Sequence, residues 1–215
     1  MSKRITLTIL GGLILLGFVA SYLLRTTRPV GRYVGDSPAA VQISDDRRSP
    51  VVTTGAANLT VVVFTDYRCP ACRKADPAFR SAVAADGNLR VVYKDWPIFG
   101  EVSQRAAEVA LAAHRQGIYS QVHHALMRAP SVDQAAMRRA VENAGGNWGL
   151  LQEDLARHAP AIAGDLASNA TEAFSLGLAG TPGYLIGPYL VEGALTESQF
   201  RRAFAQARAA QDDWR

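Results

Sequence analysis

Residues 64–72 read Phe-Thr-Asp-Tyr-Arg-Cys-Pro-Ala-Cys, and this stretch decides the fold. An apolar run over residues 59–64, with three consecutive valines, is typical of a strand that is buried on both faces. After Cys72 the apolar residues recur with helical spacing over residues 75–83. The sequence therefore predicts that Cys69 lies where a strand passes into a helix.

Cys69 and Cys72 are the only cysteines in the chain. The first turn of a helix has unpaired N–H groups and the positive end of the helix dipole, and both stabilise a thiolate. We predict that Cys69 is the exposed nucleophile and that Cys72 is the shielded resolving thiol, so that the pair closes and opens as a redox disulfide. Four neighbours are predicted to tune the pKa of Cys69: Asp66, Arg68, Pro70 and Ala71. Asp66 would raise this pKa if it is buried below the pair, whereas Arg68 would lower it.

Two metal sites are alternatives to a redox pair. Structural zinc needs four ligands, and the chain has no second cysteine pair and no histidines at the usual zinc spacing. A copper(I) site on the two thiolates is the other alternative, although no methionine or histidine is close to them in sequence. The adjacent His123 and His124 lie in a helical pattern that favours packing or surface roles. We expect no metal and no organic cofactor.

A run of 20 uncharged residues, Ile5 to Leu24, lies near the start of the chain. As a helix it would be about 30 Å long, which is enough to cross a bilayer. We predict that residues 1–24 form a membrane anchor, with a cleaved signal peptide as the alternative. Residues 25–50 are rich in Arg, Pro, Gly, Ser and Asp, and we interpret them as a tether.

The positive charge of the chain comes from this N-terminal region. The first fifty residues hold seven basic and three acidic side chains, and the remaining residues hold sixteen of each. Residues 51–215 are thus close to neutral, and no basic patch predicts a nucleic-acid partner.

Residues 51–215 are predicted to form one α/β domain. A strand, a helix and a strand over residues 58–95 make a right-handed unit with parallel strands. Five helices are predicted in an insertion over about 101–178, with one break at His158-Ala159-Pro160. Two short strands and a last helix follow. This order is that of a thioredoxin fold with a helical insertion, preceded by a transmembrane or signal segment.

Three motifs in this order resemble those of the DsbA-like thiol-disulfide oxidoreductases. They are Cys-Pro-Ala-Cys at 69–72, Lys-Asp-Trp-Pro-Ile-Phe-Gly at 94–100 and Gly-Thr-Pro at 180–182. The resemblance covers about 49–209. It implies that Pro182 is a cis proline facing the cysteines, and that the Thr181 backbone pairs with a substrate peptide as an added strand. Tyr67 and Trp96 are further candidates for substrate binding, although each could equally be a core residue.

The resemblance also implies an activity. We expect oxidation of cysteine pairs in secreted or envelope proteins, with a membrane redox partner that regenerates the Cys69–Cys72 disulfide. A disulfide reductase or isomerase is the alternative, because Thr181 before the proline is common in those branches. The expected location is a bacterial inner membrane, attached through residues 5–24, with the catalytic domain in the periplasm or otherwise outside the cytoplasm. A cleaved leader would release the protein as a secreted or periplasmic one.

Overall fold

A computed structural model describes residues 13, 14, 16–18 and 29–212. The chain divides into two compact units, Met1–Val30 and Gly31–Arg215. In the first unit, residues 13, 14 and 16–18 are helical, whereas residues 29 and 30 are not. Apart from these five, the predicted anchor lies outside the described residues. Within the part of the chain that is described, no helix is both long and apolar enough to cross a membrane.

A six-stranded sheet is the framework of the second unit, with strand order β1-β6-β5-β3-β4-β2 across the described residues. The central pair β3 and β4 is parallel, and the neighbouring pairs are antiparallel. The strands are β1 (Arg32–Tyr33), β2 (Val51–Thr53), β3 (Leu59–Thr65), β4 (Leu89–Asp95), β5 (Gly183–Ile186) and β6 (Tyr189–Glu192).

Seven helices lie within residues 29–212. They are α1 (Pro38–Ser44), α2 (Pro70–Asp86), α3 (Glu101–Arg115), α4 (Tyr119–Arg128), α5 (Gln134–Asn143), α6 (Trp148–Ser175) and α7 (Glu197–Asp212). The order of these elements confirms the thioredoxin-like fold with a helical insertion. The central strands β3 and β4 are buried over almost their whole length, as the continuous apolar runs predicted.

The interpretation of residues 25–50 as a tether is wrong from residue 32 onward. Strand β1 pairs with β6 at the edge of the sheet. Helix α1 buries Ala40 and Ile43 in a hydrophobic cluster that also contains residues of β3 and β4. Polar and glycine-rich composition suggested a linker, but a few apolar side chains are enough to dock this segment on the core.

The insertion contains four helices rather than five within the described residues, because α6 continues through Pro160. Proline removes one backbone hydrogen bond inside a helix, and here its face is exposed, so water can solvate the freed carbonyl of Ala156. Buried residues continue in helical register on both sides, at Leu155 and at Ile162. The packing of this buried helix face therefore stabilises α6 by more than Pro160 destabilises it.

Candidate active site

Cys69 is the N-cap residue of α2, with an extended backbone (φ −67°, ψ 117°), and Pro70 occupies the first helical turn. The backbone N–H of Cys72 donates to Cys69 Sγ over 3.4 Å. The sulfur thus takes the place of the oxygen in a usual side-chain cap, and a negative charge on it lies at the positive end of the helix.

The cis proline loop completes the site. The Thr181–Pro182 peptide bond is cis, as the resemblance implied. As a thiol, Cys69 donates through Sγ to the carbonyl oxygen of Thr181 over 3.2 Å. Strand β5 begins at the next residue, Gly183, and pairs with β3. The sheet therefore brings residues far apart in sequence to the end of β3 where the cysteines lie.

Both cysteines are buried, with 2% of Cys69 and 3% of Cys72 exposed. The prediction that Cys69 is exposed is therefore wrong for the reduced protein, whereas Cys72 is shielded as predicted. Cys69 Sγ contacts the carbonyl oxygen of Thr181, a residue that is distant in the sequence.

The two thiols differ in acidity. A hydrogen bond from the Cys72 side chain is the largest influence on Cys69 and, with backbone N–H groups of Ala71 and Cys72, it outweighs burial and lowers the pKa of Cys69 to about 6. Burial, followed by the neighbouring Cys69, raises the pKa of Cys72 far above its ordinary value. At neutral pH the reduced site holds a thiolate at position 69 and a thiol at position 72.

Asp66 organises the loop beside the cysteines. Its carboxylate accepts backbone N–H bonds from Arg68 (2.7 Å), Ile98 (2.7 Å) and Phe99 (3.1 Å), together with the hydroxyl of Ser103. These bonds join the end of β3 to the loop before α3. Asp66 is only 1% exposed, and its role in the structure is to hold this loop against the redox pair.

Arg68 is held by the same loop, because its guanidinium donates to the Phe99 carbonyl over 3.0 Å. Tyr67 and Trp96, by contrast, are 1% and 3% exposed. Trp96 belongs to the hydrophobic core cluster. Neither side chain offers a surface to a peptide, so their prediction as substrate-binding residues is corrected to core residues.

Exposed apolar side chains near the pair are Ile98, Phe99 and Val102, which are 43%, 42% and 41% exposed. Asp66 binds the backbone of the first two, and Ile98 Cδ1 lies 4.0 Å from the position that a Cβ on Gly180 would take. None of the three was predicted as a site residue, although Ile98 and Phe99 belong to the 94–100 motif.

A buried polar cluster lies beneath the site, and sequence reasoning missed it as well. Tyr67 Oη is 3.1 Å from His123 Nδ1, and Tyr119 Oη donates to both carboxylate oxygens of Asp95, over 3.2 and 3.1 Å. Burial raises the pKa of Asp95 to about 7, against the opposing effect of hydrogen bonds from Tyr67 and Tyr119. Burial lowers the pKa of His123 to about 3.

Among the described residues, one group of three side chains has the donor atoms and the proximity to hold a metal ion: Asp76, His123 and His124. Asp76 follows Cys72 by four residues on α2, a spacing that could have identified it as a neighbour of the redox pair.

Comparison with known proteins gives the family. The model of the DSBA-like thioredoxin domain matches residues 60–205. The chain belongs to the DSBA-like thioredoxin family. Its similarity to solved structures agrees with this assignment. A thioredoxin-like oxidoreductase from Silicibacter pomeroyi DSS-3 is 37% identical, with a TM-score of 0.73 and coverage of 78% of this chain and 96% of that one.

A periplasmic thioredoxin-like protein from Salmonella enterica serovar Typhimurium is 27% identical, with a TM-score of 0.70 and coverage of 80% of this chain and 97% of that one. Among curated proteins, the Na⁺/H⁺ antiporter NhaA 3 of Salinispora tropica is 30% identical over 173 residues, which are 76% of this chain and 26% of the antiporter. The chain thus spans about a quarter of that relative. The DsbA-like family consists of thiol-disulfide oxidoreductases, and the Silicibacter pomeroyi structure is that of a thioredoxin-like oxidoreductase.

Proposed function

We propose that this domain oxidises cysteine pairs of secreted or envelope proteins through a Cys69–Cys72 disulfide. The observation that carries the proposal is the opposite acidity of the two thiols, with the pKa of Cys69 lowered to about 6 and that of Cys72 raised. A stable Cys69 thiolate stabilises the reduced domain, which makes its disulfide a stronger oxidant.

The reaction consists of two exchanges. A substrate thiolate attacks Cys69 Sγ of the disulfide, the bond to Cys72 breaks, and Cys72 leaves and takes up a proton because its pKa is raised. A second substrate thiolate then attacks the substrate sulfur of the mixed disulfide, and Cys69 leaves as a thiolate. The substrate loses two electrons and gains a disulfide, and the domain becomes a dithiol that a membrane redox partner reoxidises.

The substrate lies on the surface formed by Ile98, Phe99 and Val102, and its backbone pairs with Thr181. The exposure of these three apolar side chains beside the redox pair supports this position. An unfolded substrate exposes apolar segments around its cysteines, which such a surface binds without requiring a particular sequence.

The site of action is outside the cytoplasm, at a bacterial inner membrane. Support comes from the uncharged segment Ile5 to Leu24 and from the oxidising conditions that stable disulfides need. The similarity to a segment of an Na⁺/H⁺ antiporter is consistent with a domain that works at a membrane.

The reduction potential tests the direction of electron flow. Equilibration with glutathione is expected to give a potential closer to the about −120 mV of strong oxidases than to the about −270 mV of thioredoxin. In parallel, a Cys72→Ala variant expressed in cells is expected to accumulate mixed disulfides through Cys69, visible as adducts that disappear on reduction. The double variant Cys69→Ser/Cys72→Ala is the control.

A potential near that of thioredoxin, with adducts still formed, would make the protein a reductase. A complete lack of adducts through Cys69 would remove thiol exchange with proteins as its function.

A further inference from the structure

Asp76, His123 and His124 bring three metal-ligating groups together from two helices. Asp76 lies on α2, and the two histidines are adjacent on α4. His124 Nδ1 is 3.7 Å and His123 Nε2 is 3.9 Å from Asp76 Oδ1. One donor atom from each residue lies within 4.8 Å of the other two.

Two of the polar atoms in this group are buried without a hydrogen-bond partner, namely Asp76 Oδ2 and His124 Nδ1. Asp76 is only 7% exposed. An unpaired buried acceptor loses its hydration without compensation, which costs about 1–3 kcal/mol and more when it is charged. A cation bound by both carboxylate oxygens of Asp76 and by His124 Nδ1 would satisfy both atoms at once.

His123 is already oriented for such a role. Its Nδ1 atom is 3.1 Å from Tyr67 Oη, which leaves Nε2 directed toward Asp76. Metal-ligating histidines usually donate their second ring N–H to an oxygen, and this bond fixes the tautomer and the ring orientation. Tyr67 in turn hydrogen-bonds to the carboxylate of Asp95, so the chain of hydrogen bonds from His123 extends into the core.

We propose that Asp76, His123 and His124 form a binding site for a divalent transition-metal ion. Two imidazoles and one carboxylate suit zinc and its neighbours in the first transition row, with water in the remaining positions. Ligand atoms on one tetrahedral zinc ion are about 3.3 Å apart when their bonds are about 2.0–2.1 Å long. The separations of 3.7 and 3.9 Å between the histidines and Asp76 Oδ1 exceed this value by about half an ångström, and the donor atoms of the two histidines lie within 4.8 Å of each other. χ rotations of the side chains would have to bring the three donors together around the ion.

The site has a route to solvent. His124 lines an open cavity of about 500 Å³ together with Pro77, Arg80 and Tyr93. This space gives an ion access and holds the water ligands. The positive charge of Arg80 acts on His123 and disfavours a second positive charge there, which limits the affinity for a cation. Arg80 does not occupy the ligand atoms.

The proposal is independent of thiol exchange, and the test separates the two. Zinc is titrated calorimetrically into the oxidised protein, in which both cysteine sulfurs are tied in the disulfide and cannot bind it. One ion is expected to bind per chain. Loss of a supporting residue at a metal site costs about 10- to 100-fold in affinity, and the ligand variants Asp76→Asn and His124→Ala are expected to lose at least as much.

His158→Ala is the matched control. His158 Nε2 lies 3.9 Å from Asp154 Oδ1 on α6, so this pair repeats the His–Asp distance, and the described part of the chain places no third ligand beside it. Zinc affinity is expected to stay unchanged in this variant. Equal binding by wild type, Asp76→Asn and His124→Ala, or loss of binding in His158→Ala, would overturn the proposal, as would a wild type that binds no zinc.

A second measurement needs no variant, so it holds even if the substitutions disturb folding. The chain has four histidines, and their ring signals can be followed by NMR during the zinc titration. His123 and His124 are expected to shift together and saturate at one equivalent, whereas His114 and His158 stay in place. A response of His114 or His158 instead would refute the site.

Discussion

At the scale of single residues, Cys69 and Cys72 differ in acidity although both side chains are buried. Both are buried, yet the pKa of Cys69 is lowered to about 6 and that of Cys72 is raised. The Cys72 thiol stabilises the Cys69 thiolate, and the same bond keeps the proton on Cys72. This hydrogen bond favours Cys69 as the nucleophile, and burial together with the same bond favours Cys72 as the resolving thiol.

A Cys72→Ala substitution is expected to raise the pKa of Cys69 above about 6, because it removes the largest stabilising contact of the thiolate. The pKa is read from the pH dependence of thiolate ultraviolet absorbance or of alkylation rate. Cys72→Ser, which retains a hydroxyl donor, is expected to give a smaller rise. If Cys72→Ala left the pKa unchanged, the helix N-terminus alone would account for the acidity.

At the scale of elements, local sequence patterns predicted individual strands and helices. The apolar run over residues 59–64 gave β3 within one residue, and the helical spacing over residues 75–83 lies inside α2. The cysteine position follows directly from these two elements.

Docking between distant segments was not predictable in the same way. Ile43 lies in a polar stretch, and only the core that it meets makes α1 part of the domain. The packing of α2 against α4 brings His123 Nε2 to 3.9 Å from Asp76 Oδ1. The sequence of either helix alone does not indicate that these two residues are neighbours. Burial of Tyr67 likewise depends on residues far along the chain, so its sequence neighbours left both a core role and a substrate-binding role open.

The docking of α1 can be tested by cavity formation. Ile43 is 3% exposed, so Ile43→Ala is expected to lower the free energy of unfolding by about 2–5 kcal/mol. Val41, on the same helix, is 54% exposed, and Val41→Ala is expected to change it by less than about 0.5 kcal/mol. Both values come from denaturant unfolding of the domain. Equal effects of the two substitutions would mean that α1 is not docked in solution.

At the scale of the whole molecule, Lys94 joins three parts of the domain. Its ammonium group, on β4, binds Asp46 from the segment after α1 and lies 2.6 Å from Glu172 on α6. Lys94 is 1% exposed. The carboxylate of Asp46 is partly desolvated, yet its bonds to Lys94 and to Ser49 hold its pKa well below the ordinary value. The N-terminal segment, the sheet and the helical insertion thus share one buried charge cluster.

Lys94→Met is expected to destabilise the domain by about 3–5 kcal/mol, since it leaves buried carboxylates without their cation. Asp46→Asn in the Lys94→Met background is expected to recover part of this loss, because it removes one of the unpaired charges. Lys74→Met at an exposed position is the control and should change stability by less than about 0.5 kcal/mol. A loss in Lys94→Met no larger than in Lys74→Met would show that the cluster adds nothing to stability.

The redox state and the stability of the whole domain are linked through Cys69. Its pKa falls from about 9 in the unfolded chain to about 6 in the folded reduced protein. A lowered folded-state pKa adds stability that is complete above the unfolded value and is lost as the pH falls through the folded value. The oxidised domain has no thiol at this position and lacks this dependence.

The melting temperature of the reduced domain minus that of the oxidised one should therefore rise steadily between about pH 5 and pH 9. Calorimetric scans of both forms across this range measure it, with Cys69→Ser as a reduced control that should show no such rise. A difference that stays flat with pH would mean that the folded protein does not favour the thiolate, and the thermodynamic basis for an oxidising disulfide would be absent.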